Sequence, residues 1–128
     1  AFDAGHALCI FPAGLVSRKS KGLIRDLEWK KTFVTYARAL ERKVVPIYID
    51  GKLSPFFYNL YKIRKFFGIK ANIEMLYLSN ELFKQRNQKI TFHIGASLNG
   101  KEFHSELNDY KAAQEYKKKV YSIKDKII

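Results

Sequence analysis

Two stretches of the chain, ALCIF at 7–11 and VVPIYI at 44–49, are apolar at every position, whereas KITFHIG at 89–95 alternates Ile90, Phe92 and Ile94 with Thr91 and His93. A continuous run predicts a strand covered on both faces, as in a parallel sheet; alternation predicts a strand with unlike faces. Between the first two runs, DLEWKKTFVTYARALERK spaces Trp29, Phe33, Ala37 and Leu40 at helical intervals, with Asp26 as its N-cap. The result is a strand–helix–strand unit, expected to cross over right-handed.

Further along, Ser54 and Pro55 open a helix over 55–67 that Gly68 stops. Its apolar set, Phe56, Phe57, Leu60, Tyr61, Ile63 and Phe67, is wide for a helix that also bears Lys62, Arg64 and Lys65. Ser79 marks another helix start, with Leu82 and Phe83 following. The tail reads as an amphipathic helix over about 107–125, with Tyr110, Ala113, Tyr116 or Lys117, and Val120 in step. The fold class these elements predict is α/β: a mixed, largely parallel sheet flanked by helices, in a single domain over 1–128.

Composition sharpens this picture in three ways. With 128 residues, 47% of them apolar and 15% aromatic, the chain builds one core rather than two and lies outside the disordered class. Lys and Arg outnumber Asp and Glu by 24 to 12, a net charge of +12, so phosphates, anionic headgroups and nucleic acid are the favoured partners. Cys9 is the sole cysteine, which excludes an internal disulfide and a thiolate metal cluster and fits a reducing compartment. No run of 18 apolar residues and no leader pattern occurs in the sequence. The opening AFDAGHALCIF lacks an initiating methionine and reaches an apolar run almost at once, so the chain is read as a piece of something longer.

Several chemistries lack their motifs. There are no paired cysteines, no His-Glu-x-x-His, no Walker-type loop and no Gly-x-Ser-x-Gly elbow. What remains is the loop after the first apolar run, FPAGLVSRKSKG, where Gly14 lets backbone N–H groups approach a ligand and Ser17, Arg18, Lys19 and Lys21 add donors and charge. Ligands of open α/β sheets collect at such strand ends. The plain alternative is a solvated basic turn.

Three blocks, IFPAGLVSR, IRDLEWKKTFVTYA and VVPIYIDGKLSPFFY, in this order and at these separations, resemble the later part of the glycerophosphate and lysophospholipid acyltransferase family, in particular its bacterial hemolysin-like, ornithine-lipid-type branch. The likeness runs over about 4–98. Phe11-Pro12-Ala13-Gly14 stands where the family has Phe-Pro-Glu-Gly, and Val45-Pro46-Ile47 where its last block falls. Trp29 and the 54–58 stretch recur in the hemolysin-like branch.

The resemblance implies transfer of a fatty acyl group from an acyl-carrier-protein or coenzyme A thioester, the donor substrate, to a hydroxyl of a lysolipid, with no bound cofactor or metal. It implies an acceptor-binding role for Phe11, Pro12, Ala13, Gly14, Ser17 and Arg18. The family's base is the His of a His-x-x-x-x-Asp pair, whose carboxylate fixes the imidazole tautomer; that pair precedes the Phe-Pro block, and only ten residues do so here. His6 and His93 lack a partner at the right spacing. His104 and Asp109 have the spacing but follow the other blocks in a polar segment, and are read as surface residues. The expectation is therefore a carboxyl-terminal, acceptor-binding portion, inactive alone. Ala13 replaces the family's Glu, which disfavours a glycerophosphate acceptor and favours an aminoacyl-type or other lysolipid.

For the helix over 55–67, aromatics interleaved with cations suit the headgroup boundary of a membrane, with Phe56, Phe57, Lys62, Arg64 and Lys65 as contact residues; the plain reading is a core helix whose cations reach out to water. The location this implies is the cytoplasm, peripheral on the cytoplasmic face of a bacterial inner membrane. A lost sheet neighbour would leave apolar surface uncovered, so self-association is expected. The rival function is a small basic nucleic-acid-binding module, to which 8 Tyr and 10 Phe would supply stacking surfaces. No RNP, KH or helix-turn-helix signature supports it, and no nucleic acid is expected as a partner.

Overall fold

A computed structural model describes residues 5–103 and 106–125. The chain divides into two compact units, Ala1–Tyr48 with Phe92–Ile128, and Ile49–Thr91.

In the first unit, strands β1 (Arg18–Ser20) and β2 (Leu23–Arg25) pair antiparallel, Ser20 opposite Leu23 and Arg18 opposite Arg25. Lys21 and Gly22 between them both have positive φ, 47° and 82°. Two left-handed residues make the tight hairpin turn whose twist matches the flanking strands. The basic segment is thus a hairpin. Helix α1 (Thr32–Ala39) follows, then β3 (Lys43–Val44) and β4 (Ile47–Asp50), separated by Val45 and Pro46. Proline has no N–H to give a ladder, and the apolar run breaks there. Later in the chain come α2 (Pro55–Phe66), α3 (Leu78–Lys84), β5 (Thr91–Ile94), β6 (Leu98–Asn99) and α4 (Asp109–Asp125). β3 pairs antiparallel with β6, Val44 opposite Leu98, and β4 pairs with β5.

The largely parallel sheet is therefore corrected: among the described residues the strands form three separate pairs, and β1–β2 and β3–β6 are antiparallel. Residues 7–11 form no strand and are exposed, so the first run supplies no parallel partner. The α/β class itself stands.

The core of the first unit is an aromatic cluster between α1 and α4. Phe33 meets Trp29, Phe103 and Tyr116 with ring centroids 5.9, 6.2 and 5.8 Å apart, and Val34, Ala37, Ala112, Ala113 and Val120 complete it. Edge-on contacts of this kind add to the gain from removing each large side chain from water, about 1.5–3 kcal/mol. Burial pushes the Tyr116 phenol up to about 12, and its hydroxyl donates to the Val44 carbonyl at 3.2 Å. Gly100 packs so closely on α1 that a Cβ there would lie 1.8 Å from the Ala37 carbonyl oxygen.

The second unit is built on α2. Ser54 caps it, accepting from the Phe57 N–H, and Pro55 takes the first helical position. At its end Gly68 is left-handed (φ +65°), with the Gly68 and Ile69 amides donating back to the Lys65 and Arg64 carbonyls. That is a Schellman stop. Ser79 does not start a helix: a 3₁₀ turn, Ile73–Tyr77, runs directly into α3 and places Ser79 inside it. Two glutamates, Glu74 and Glu81, are buried in this unit.

Candidate acceptor loop and its anchors

Residues 11–14 form a tight turn closed by the Gly14 N–H donating to the Phe11 carbonyl at 3.0 Å. Gly14 has φ +66°, a conformation that disfavours a side chain. Phe11 points into solvent, 71% exposed, while Pro12 and Ala13 are half-buried and Ala13 packs on the aromatic core. The turn is pinned by the Lys30 N–H, which donates to the Pro12 carbonyl at 3.0 Å. The same residue places its ammonium over the glycine, since a Cβ on Gly14 would lie 3.5 Å from Lys30 Nζ. The turn therefore carries a cation whose place in the sequence, 16 residues on, did not betray it.

Ser17 and Arg18 stand differently from Gly14. The Ser17 hydroxyl donates to Asp26 Oδ1 at 2.6 Å, and Arg18 is buried at the start of β1. Lys19 and Lys21 are exposed on the hairpin. Asp26 is not a helix N-cap: α1 starts six residues later, at Thr32. Its carboxylate instead holds Ser17 on one oxygen and Trp29 Nε1 on the other, at 3.1 Å. Its backbone N–H donates to the Tyr121 hydroxyl at 2.8 Å and its carbonyl accepts from Lys117 Nζ at 2.7 Å. Gln114 brackets the Trp29 backbone, accepting from its N–H at 3.3 Å and donating to its carbonyl at 2.7 Å. Burial pushes the Lys117 ammonium below its usual value, with Asp26 opposing the shift, and pushes the Tyr121 phenol up. One face of α4 thus fixes the segment that carries the turn.

Two of the three histidines fall among the described residues. His6 is exposed, and His93 stacks on Tyr48 with centroids 5.9 Å apart. His104 lies outside the described residues. Its spaced partner Asp109 is committed elsewhere, accepting from Thr35 Oγ1 at 2.5 Å and from Arg38 Nη1 at 2.6 Å. The Thr35 hydroxyl leads in holding the Asp109 carboxyl below its usual range, burial works against it, and Arg38 adds to it. Among the described residues, no three His, Cys, Asp or Glu side chains converge as a metal site would need.

Of the five residues read as membrane contacts, Phe56, Lys62 and Lys65 are exposed, whereas Phe57 is fully buried and Arg64 is half-buried with its Nε 2.8 Å from the buried Glu74. No helix among the described residues is long and apolar enough to cross a membrane.

The chain belongs to the acyltransferase family, whose profile matches residues 1–127. It is 42% identical over 122 residues to a lyso-glycine lipid O-acyltransferase of Bacteroides thetaiotaomicron, and 44% identical over 122 residues to one of Phocaeicola vulgatus. Those alignments cover 95% of this chain but 45% and 44% of the relatives, so the chain spans less than half their length. No solved structure matches.

Proposed function

We propose that this chain is the acceptor-binding portion of a bacterial lipid O-acyltransferase that moves a fatty acyl group from an acyl-carrier-protein or coenzyme A thioester to the hydroxyl of a lyso-glycine lipid or a close analogue. The observation that carries the reading is the identity of 42–44%, sustained along nearly the whole chain, to two proteins of that named activity. In the reaction the acceptor oxygen attacks the thioester carbonyl, the C–O bond of the new ester forms, the C–S bond breaks and the thiol departs. The hydroxyl proton passes to a general base, for which the resemblance implies the imidazole of a His-x-x-x-x-Asp pair that this sequence does not carry ahead of its Phe-Pro block.

The turn at 11–14 suits the anionic headgroup of the acceptor: a left-handed glycine, Lys30 Nζ directly over it and no carboxylate at position 13. An acidic side chain there would repel a carboxylate or phosphate, and alanine removes that repulsion. The full-length protein, given labelled acyl donor, is expected to acylate lyso-glycine lipid in preference to lysophosphatidate, and Lys30→Ala to raise the acceptor KM about tenfold with kcat little changed. Residues 1–128 alone are expected to form no product. Equal use of both acceptors would overturn the headgroup assignment, and transfer by residues 1–128 unaided would overturn the division of labour.

A further inference from the structure

The unit Ile49–Thr91 buries two of its three acids and leaves Phe56, Phe66, Phe67, Tyr77 and Phe83 exposed. Eight lysines and arginines face three acids in this span, a net charge of +5. Two of the acids are interior: Glu74 pairs with Arg64 and Glu81 with Lys84, while Asp50 is half-buried. The outward charge is thus cationic, from Lys52, Lys62, Lys65, Lys70, Arg86 and Lys89. A soluble face ordinarily intersperses both signs.

Helix α2 has two apolar faces. Phe57, Tyr61 and Arg64 turn into the unit. At 3.6 residues per turn, Phe56, Ile63 and the C-cap Phe67 fall within about 40° of one another, roughly a third of a turn away from the inner face. These three and Phe66 are between 51% and 85% exposed. Past Phe66 the surface continues to Lys62, about 40° further round, and the Schellman stop at Gly68 ends the helix just beyond the adjoining Phe66 and Phe67. Helix α3 repeats the pattern on a smaller scale: Leu78, Glu81 and Gln85 turn inward, while Leu82 and Phe83 are 72% and 76% exposed.

We infer that this unit is a docking surface for an anionic lipid bilayer, with the stripe of Phe56, Ile63, Phe66 and Phe67 bedded among the headgroups and Lys62, at the edge of the stripe, on the lipid phosphates. The wide apolar set of α2 then has a cause on each side, one half for the interior of the unit and one half for lipid. Rings at the headgroup level and flexible cations around them are the arrangement by which peripheral surfaces hold to membranes. Charge favours a bilayer over an ordinary protein surface, since each cation that comes near an anionic leaflet gains from it. The inference rests on the lipid-acyltransferase reading for its choice of lipid rather than another polyanion.

The test is partition of the full-length protein onto vesicles of phosphatidylglycerol and phosphatidylcholine, 30:70 (roughly the charge density at which basic surfaces bind), followed by flotation. Wild type is expected to float with these vesicles and to stay behind with pure phosphatidylcholine. Phe66→Ser with Phe67→Ser, and separately Lys62→Glu, should each weaken partition about tenfold or more, leave the thermal midpoint unchanged, and leave acylation of detergent-dispersed lysolipid intact. Undiminished partition by the variants would overturn the inference. So would a fall in thermal midpoint in the serine variant with partition retained, because the rings would then pack against the protein itself. Binding to single-stranded DNA with no vesicle binding would also overturn it. Failure of wild type to acylate in detergent would instead strike the reaction assigned above, since flotation is read without turnover.

Discussion

Ser54 gives both of its donors to one carboxylate: its backbone N–H and its hydroxyl each lie 2.6 Å from an oxygen of Glu81, 27 residues away. The hydroxyl oxygen meanwhile accepts from the Phe57 N–H at 3.3 Å. The cap of α2 is thereby tied to the buried side of α3. Ser54→Ala is expected to cost about 1 kcal/mol as a lost cap, and Glu81→Ala about 2 kcal/mol because it also leaves the half-buried Ser54 amide without its acceptor. The double variant should cost less than the sum. Urea unfolding read by hydrogen exchange in α2 checks this, and full additivity would deny the coupling.

Acid should loosen the same contact. Burial alone would raise the Glu81 carboxyl, but the Ser54 hydroxyl and amide and the Lys84 ammonium outweigh it and hold it below the ordinary value; Asp109 is lowered as well. A carboxylate with a depressed folded-state pKa contributes stability that is whole above its unfolded pKa, near 4, and is lost as pH falls through the folded value. Thermal midpoints should hold from pH 7 to about 5 and drop below about 4. Glu81→Gln should flatten part of that drop, and an unaltered profile in this variant would refute the assignment.

Several of these features were legible in the sequence and others were not. Ser54-Pro55 and Gly68 announced the limits of α2 because capping and stopping are local chemistry, acting within one turn of the helix. The terminal helix and the α1 core positions Phe33 and Ala37 followed from periodicity. What failed was whatever depends on a distant partner. Glu74 and Glu81 gave no sign of burial, because their companions Arg64 and Ser54 lie 10 and 27 residues away. The 89–95 strand was seen to have two faces, but periodicity does not say which one is inward: Thr91 and His93 are half-buried while Phe92 and Ile94 stand out. In the loop at 11–25, the glycine turn was readable and Lys30 was not, and the hairpin was hidden because Lys-Gly is a rarer turn pair than Asn-Gly.

Asp109 ties the start of α4 to α1. Its two oxygens are taken by Thr35 and Arg38, across from α4 to α1. Asp109→Asn should lower stability by roughly 1 kcal/mol, the scale of a charge-assisted hydrogen bond at a half-exposed site, and leave kcat of the full-length enzyme within about twofold. A loss of a thousandfold or more, typical of a displaced member of a catalytic pair, would restore it to the chemistry.

Gly100 tolerates no side chain. The Cβ of Gly100→Ala would collide with the Ala37 carbonyl, a backbone atom that moves only with α1, so roughly 3 kcal/mol of destabilisation is expected from overpacking. Circular dichroism melts suffice to measure it. A midpoint equal to wild type would mean that α1 can retreat.

The ring contact of Tyr48 with His93, and of Tyr48 with Tyr121 on α4, sets those rings on one side of the β4 and β5 strands. Alternation then sends Ile47, Phe92 and Ile94 to the other side, where all three are exposed. Residues 1–128 by themselves are expected to self-associate through this face. Light scattering across a concentration series reads it directly, and a monodisperse monomer at every concentration would contradict it.

Asp26 has one further consequence. Tyr121, Lys117 and Gln114 grip the stretch from Asp26 to Trp29 at successive turns of α4, and Lys30, the next residue, carries the glycine turn. Trimming the carboxyl terminus therefore slips these moorings one at a time, beginning with the outermost. A deletion confined to α4 would slacken the glycine turn in graded steps, far along the chain from the residues removed.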